Sequence, residues 1–317
     1  MEQLEAADLL LPDVGGELLG GTEGGIEHGR PPAPSSSLRS AIEVYCVSYV
    51  PPGASVTESI PPHPVLEEYY RVKADRQSFV DELFDGAARY YNHIGRMLDL
   101  GSGPMYRRQA LQRAGLKPGM RLLDVATGTG LVARGGAEVL GDPRRVIGID
   151  PNSGMLREAR MALSGPLVRG RAEVLPFRSD SFDMLSMGFA LRHVEDLEIA
   201  FDEYRRVLKP GGRLLLLEVS RPTSRIMRWV IRTHFQRVLP WLTRISTGND
   251  PAGLLMRYYW DTIDRCVPPE TILDVLRRNG FVDVTRRVYV GFLSEYVAAK
   301  PRRSVSADGE MRGIDAA

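Results

Sequence analysis

The segment Leu122-Leu-Asp-Val-Ala126, running directly into Thr127-Gly-Thr-Gly130, constrains this chain more than any other. Apolar except at Asp124, it reads as a strand buried on both faces, the kind found in parallel sheets covered by helices on each side. Gly128-Thr-Gly130-Leu-Val-Ala133 then fits the Gly-x-Gly-x-x-Gly/Ala loop that lets a backbone approach a nucleotide closely, and Asp150, twenty residues after Gly130, stands where a ribose-binding acid is expected. The loop alone serves any nucleoside ligand. Asp124 discriminates: a carboxylate at the end of the first strand repels a diphosphate but attracts the ammonium of S-adenosylmethionine. The alternative that the loop exists only for tight packing must explain two acids and two glycines occurring together.

The remainder alternates. Helical spacing covers Tyr69 to about Leu100, Ser102-Gly-Pro104 punctuates, and a second helix runs to about Ala114; helices are expected over Gly128–Leu140, Ser153–Leu163 and Ile199–Leu208, and strands over Arg145–Asp150, Phe182–Met187 and Arg213–Val219. Lys209-Pro-Gly-Gly212 reads as a sharp turn, and Pro268–Asn279 as a helix stopped by Gly280. Phe281–Val290 and Phe292–Ala299 form a closing antiparallel pair about Gly291. Strands alternating with helices imply right-handed crossovers and an α/β, doubly wound, mostly parallel sheet. Between Pro222 and Cys266 the alternation gives way to a helical insert.

The ends differ from this body. Residues 1–65 carry nine acidic and two basic side chains, with eight Gly and nine Pro, a Gly-plus-Pro share above the rough 25% at which disorder sets in. They read as an acidic tail, residues 66–300 as the folded domain and 301–317 as a second short tail. Beyond residue 65 the chain has 39 basic against 31 acidic residues, so its near-neutral total conceals a basic body that favours an anionic partner or surface. No window approaches the roughly 18 apolar residues of a spanning helix, and Met1-Glu-Gln-Leu-Glu5 lacks a secretory signal, so a cytoplasmic protein is expected. Cys46 and Cys266 offer no metal-ligand spacing, and no metal is expected.

Several segments together resemble one family. Leu122-Leu-Asp-Val-Ala-Thr-Gly-Thr-Gly130, Ala172-Glu-Val-Leu-Pro-Phe177, Phe189-Ala-Leu-Arg-His193, Arg206-Val-Leu-Lys-Pro-Gly-Gly212, Leu217-Glu-Val-Ser220, Arg257-Tyr258, Thr262-Ile263 and Gly280-Phe281 are similar to the class I methyltransferases, and within them to the C-methyltransferases of menaquinone and ubiquinone biosynthesis. The resemblance covers about residues 70–300. It implies a seven-stranded Rossmann-like sheet with an antiparallel last strand, an insert over 221–266 that lines the acceptor, and S-adenosylmethionine as cofactor. It places Asp124, Thr127, Gly128, Thr129 and Gly130 around the methionine part, Asp150 on the ribose, Met155 and the Ala172 backbone N–H on the adenine, and Gly188 beside the cofactor. Where the family has Asp or Asn before the alanine this chain has Arg171, which cannot accept a hydrogen bond from the adenine amino group; Glu173 or a backbone carbonyl takes that role, or affinity falls. Where the family has Asn, this chain has His193.

A ring carbon of a quinol becomes nucleophilic when a neighbouring hydroxyl loses its proton. His193 can take that proton and Arg192 can stabilise the phenolate, Arg itself being too basic to act as base. Against these roles stand a His193 that only orders its loop and an Arg192 paired with Glu195 or Asp196. Phe189, Tyr258 and Tyr259 are candidate pocket residues. In the insert no acid occurs from Ser220 to Thr247. Helical geometry places Arg225, Arg228 and Arg232 on one face and Ile226, Met227, Val230 and Val238 on another, the pattern of a helix lying on an anionic membrane, here through residues 223–244. The alternative is a solvated arginine face over a helix packed on its own core.

The expected function is methyl transfer to a small lipophilic acceptor, foremost a prenylated benzoquinol or naphthoquinol. Alternatives within the class are O-, N- or C-methylation of natural products, sterols or phenols; outside it stand an NAD-dependent dehydrogenase and a non-catalytic nucleoside-binding protein. Nucleic acid is not an expected partner, since no recognition module or Asn/Asp-Pro-Pro-Tyr motif is present. The sequence leaves the oligomeric state open.

Overall fold

In the computed structural model, which describes residues 59–72, 74–99, 103–247 and 250–302, a seven-stranded sheet carries helices on both faces. Two helices, α1 (Asp75–Asp99) and α2 (Gly103–Ala114), precede the sheet. Then β1 (Leu122–Val125), α3 (Leu131–Leu140), β2 (Val146–Asp150), α4 (Ser153–Ala162), β3 (Leu167–Arg169), β4 (Phe182–Gly188), α5 (Leu197–Val207) and β5 (Leu208–Val219) alternate. The insert comprises α6 (Arg225–Thr233), a π-helical turn (His234–Val238), α7 (Leu239–Thr247) and α8 (Asp250–Asp264). The chain closes with α9 (Pro269–Arg278), β6 (Val282–Tyr289) and β7 (Leu293–Ala299).

Strand order is β3-β2-β1-β4-β5-β7-β6, parallel from β3 to β5, with β7 running antiparallel to both its neighbours. The order reverses between β1 and β4, and a crevice opens outside the carboxyl ends of strands at such a switch point. Period-two alternation divides the core. Leu123, Val125, Ile147, Ile149, Leu185 and Met187 face α5 and α9, whereas Leu122, Val146 and Met184 face α2, α3 and α4. A third core joins α1 to the insert through Leu83, Phe235, Leu255, Tyr258 and Trp260. Among the described residues no helix is long and apolar enough to cross a membrane.

Most expected elements are present within two or three residues, and the exceptions have physical reasons. The helix after the glycine loop starts at Leu131, because Gly128 and Gly130 take φ of 57° and 80°, outside helical geometry. Strand β3 has three residues, too few for a periodic signal. The expected turn at Lys209–Gly212 is a bulge inside β5: Phe182 pairs with Leu208 and Met184 with Arg213, and the extra residues loop out at Gly211, φ 82°. At the amino end, residues 59–65, placed in the tail by composition, pack on the domain. Ile60 O accepts from Leu197 N at 3.0 Å, Pro62 O from Val267 N at 2.8 Å, and His63 is buried. The remainder of the segments read as tails, residues 1–58 and 303–317, lies outside the described residues, as does Cys46.

Candidate active site

The carboxyl end of β1 sets the geometry. Asp124 is buried there, accepting from Ser186 Oγ on β4 at 2.6 Å and from Thr127 Oγ1 at 2.7 Å. Burial pushes its carboxyl up to about 6, although both hydroxyls favour the ionised form. The chain then turns sharply: Ala126 takes φ 51°, Thr127 N donates to Ile149 O, and Gly128 N donates to Asp150 Oδ2 at 2.8 Å. The other Asp150 oxygen accepts from Asn152 N at 2.8 Å, and Asn152 caps α4 through Met155 N. Asp150 is also pushed up to about 6, by burial above all, against the pull of those two N–H groups.

These residues line one end of a cavity of about 870 Å³ at the switch point. Asp124, Thr127, Gly128, Thr129, Asp150, Met155, Arg171, Ala172, Glu173 and Gly188 all reach it, bringing together residues from β1, β2, α4 and β4. Gly130 is not among the lining residues; its left-handed backbone starts α3 instead. Arg171 is not a free cation. Its guanidinium lies 2.7 Å from Glu195 Oε2 and 3.5 Å from Glu173 Oε2, and Glu173 Oε1 accepts from Glu195 N at 2.6 Å.

The other end is aromatic. Phe84 and Tyr91 from α1, Tyr259 from α8 and Phe235 from the π-turn enclose it, and Phe189, with φ 61°, forms part of the wall. His193 faces this end, partly buried with both ring nitrogens shielded from solvent, its ring 5.2 Å from Phe84, 5.8 Å from Tyr258 and 6.1 Å from Tyr259. Neither ring nitrogen has a partner among the described residues, and burial together with the charges of Arg192 and Arg76 holds the imidazole well below its ordinary value, so it is neutral. Neutral imidazole presents one donor and one acceptor. Tyr258 is not on the cavity wall: it stacks behind His193 and against Tyr69 and Phe79. Tyr259 is on the wall, its hydroxyl donating to Tyr91 Oη at 2.8 Å.

Arg192 is buried beside it, but its acid is neither Glu195 nor Asp196. The guanidinium pairs with Glu218 at the end of β5, donates to Thr262 Oγ1 at 3.2 Å and lies 5.6 Å from the Tyr259 ring centre. Glu195 pairs with Arg171, and Asp196 caps α5 through Glu198 N and Ile199 N. Sequence reasoning assigned no role to Glu218, Arg76 or His63. Arg76 donates to Arg192 O at 2.6 Å and to Val194 O at 3.1 Å, bracketing His193, and meets His63 Nε2 at 3.2 Å. Glu218 could have been found, because a lone acid in the apolar strand Leu214–Val219 needs a cation; nothing local marks Arg76.

The first end fits S-adenosylmethionine by its own chemistry. A buried carboxylate suits an ammonium, a second buried acid ends the neighbouring strand on the same cavity, and a Cβ at Gly128 would meet no atom within 4 Å, so the loop leaves open space for a close ligand.

Comparison with known proteins agrees. The ubiE/COQ5 methyltransferase family matches residues 70–300. A demethylmenaquinone methyltransferase of Symbiobacterium thermophilum is 30% identical over 72% of this chain and 95% of its own length. Ubiquinone/menaquinone biosynthesis C-methyltransferases UbiE of Shewanella sp. (strain W3-18-1) and Shewanella halifaxensis are 34% and 31% identical, each over 68% of this chain and 88% of theirs.

The two raised carboxyls set a pH dependence. An acid whose folded value lies above its unfolded one holds its proton more tightly when folded, so these groups cost the ligand-free protein stability as pH rises from about 4 through 6. A bound ammonium favours the ionised form and reverses that cost. S-adenosylhomocysteine should therefore bind with constant affinity above about pH 7 and more weakly below 6, by up to tenfold per pH unit per group. Asp124→Asn should weaken binding about ten- to hundredfold at pH 7.5 and flatten the slope, as read by calorimetry from pH 5 to 8.

Proposed function

The chain belongs to the ubiE/COQ5 methyltransferase family and is an S-adenosylmethionine-dependent methyltransferase, and from that premise we propose that it methylates a ring carbon of a prenylated quinol. The observation that carries this reading is the continuity of the cavity: the wall that holds Asp124 and Asp150 runs on into an apolar, aromatic chamber with His193 and Arg192 in it. When bound, the cofactor supplies an activated methyl group in line with a nucleophile. The chain's own residues align the acceptor and prepare it.

Phe84, Tyr91 and Tyr259 give a flat ring faces to pack on. His193, neutral and with unpartnered nitrogens, accepts a hydrogen bond from a ring hydroxyl and takes its proton as charge builds on the carbon. Arg192 supplies the positive potential that keeps the resulting phenolate bound, and its pairing with Glu218 fixes the guanidinium while tempering its charge.

The relatives that are named for demethylmenaquinone and for ubiquinone/menaquinone biosynthesis support a naphthoquinol or benzoquinol as the acceptor. The insert supports delivery from a lipid surface. Ile226, Trp229 and Trp241 are 77, 67 and 62% exposed, Met227 and Val230 line the cavity, and Ile231, Phe235 and Leu239 turn to the core. The apolar face is therefore not spent on the protein's own packing. Of the three arginines read as one cationic face, Arg225 and Arg232 are exposed, whereas Arg228 turns back to donate to Pro222 O at 3.3 Å.

Three outcomes test these readings. Lipid extracts of cells lacking the protein should accumulate a quinone one methyl group lighter, and the purified protein should be stabilised by S-adenosylhomocysteine and not by NAD; an unchanged quinone pool sinks the acceptor assignment. His193→Ala should lower kcat about a hundredfold or more with the affinity for S-adenosylhomocysteine unchanged, His193→Gln should retain part of the rate, and the wild-type profile should show no limb near pH 6.5 from this residue. Vesicles rich in anionic lipid should sediment the protein and neutral ones should not, with Arg225→Glu/Arg232→Glu and Trp229→Ser/Trp241→Ser each reducing binding at least severalfold.

A further inference from the structure

Two of the aromatic side chains on the cavity wall, Tyr91 of α1 and Tyr259 of α8, meet at their hydroxyls, 2.8 Å apart. Resting on the reading that the chamber takes a quinol, we propose that this hydroxyl pair determines acceptor specificity: Tyr91 donates a hydrogen bond to the acceptor ring's second oxygen, the one His193 does not serve, so the site selects a ring bearing two oxygens over a ring bearing one.

A count of hydrogens carries the inference. Each phenol has one hydrogen to donate and can also accept. The bond from Tyr259 Oη to Tyr91 Oη uses one of the two hydrogens, and the other, on Tyr91, is left over. Among the described residues neither hydroxyl has a further hydrogen-bond partner. Burial raises both phenols above their ordinary value, so the hydrogen stays on its oxygen at neutral pH. Arg192, 5.6 Å from the Tyr259 ring centre, strengthens Tyr259 as the donor of the pair. Polar hydrogens shielded from solvent are nearly always satisfied. One left on a cavity wall is met by what enters the cavity.

Placement agrees. The ring of Phe84 lies 5.2 Å from that of His193, 6.0 Å from that of Tyr259 and 6.2 Å from that of Tyr91, and the His193 and Tyr259 rings are 6.1 Å apart. The imidazole and the hydroxyl pair therefore border one chamber around a single phenylalanine. Other polar groups of the wall are spent on near partners: Arg171 on Glu195, Arg192 on Glu218, and the Gln77 amide on Asp81 at 3.0 Å. A bond that only tied α1 to α8 would not need both tyrosines on the wall. A site built to bond a ligand oxygen rejects the analogue lacking it far more strongly than an apolar wall rejects a small change of shape, because the site's own polar group is then left unpaired.

The test reads binding, so that the intrinsic reactivity of the ring does not enter. Full-length protein saturated with S-adenosylhomocysteine, kept anaerobic with dithionite, is titrated with 2-prenyl-1,4-naphthalenediol or with 3-prenyl-1-naphthol, which keeps the hydroxyl beside the free ring carbon and lacks the other. Wild type should bind the diol at least about fivefold more tightly. Tyr91→Phe, which keeps the ring, should lose about five- to a hundredfold for the diol and no more than about twofold for the mono-ol, erasing the preference. Tyr259→Phe should lose less, since the Tyr91 hydrogen remains. Unchanged affinity for S-adenosylhomocysteine shows that each variant is folded. Wild type without a preference overturns the proposal before any variant is made. A preference that survives Tyr91→Phe overturns it too, as does a larger loss in Tyr259→Phe or an equal loss of both ligands, the mark of a merely structural tyrosine. Wild type that holds S-adenosylhomocysteine and binds neither ring overturns the quinol reading itself, a separate failure.

Discussion

The architecture turns on a carboxylate placed where a carboxylate is expensive. Asp124 sits at the end of a strand buried on both faces, and Ser186 and Thr127 each give it a hydrogen bond. Those bonds tie β1 to β4, the pair between which the sheet order reverses, and tie β1 to its own exit loop. The partly compensated charge leaves a standing preference for a cation, and the loop it anchors has nowhere to go but over the crevice. A hydrophobic residue there would cost the fold less and would remove the reason for the crevice to bind a zwitterion.

The second centre is built the same way, from a charge that burial penalises. Arg192 and Glu218 form an ion pair shielded from solvent, an arrangement that contributes little net stability but is costly to break from one side. Its consequence is positional. With the guanidinium fixed on Glu218 and Thr262, and the Arg192 and Val194 carbonyls fixed by Arg76, the backbone on both sides of His193 is held, and among the described residues neither of its ring nitrogens has a partner. The amino-terminal strap completes the brace: His63 meets Arg76, and the backbone of Ile60 joins the residues that follow His193. Three distant segments thus hold one short turn.

This difference explains what was legible in the sequence. The cofactor end is made of residues close together in the chain, with turn chemistry at fixed spacing, so Asp124, the glycines and Asp150 could be read locally and were found lining one cavity end, Gly130 excepted. The acceptor end is assembled by tertiary contacts. Tyr258 and Tyr259 are adjacent in sequence, and only the rotation of α8 on α1 decides that Tyr259 meets the cavity while Tyr258 backs His193. The partner of Arg192 comes from β5, beyond a whole helix, whereas its near neighbours Glu195 and Asp196 are taken by Arg171 and by the α5 cap. Proximity along the chain favours the wrong acid. Strand β3 was missed for lack of length, and the strap because proline-rich composition imitates a tail even where its carbonyls are bonded.

The insert joins both ends to the outside. Its π-turn at His234–Val238 shifts the helical register by one residue, so that Phe235 and Leu239 face the core while Trp241 remains exposed beside the face begun by Ile226 and Trp229. A helix of regular pitch from Arg225 to Thr247 would carry one continuous stripe; the register break lets the same segment seal the chamber with Met227, Val230 and Ile231 and still present large apolar side chains outward. Exposed tryptophan on an arginine-bearing face is unfavourable in water and favourable at an anionic lipid boundary. On the proposed reading a lipid surface would offset the cost of leaving that face uncovered, and Met227 and Val230, which line the cavity, belong to the same helix as the exposed Ile226 and Trp229.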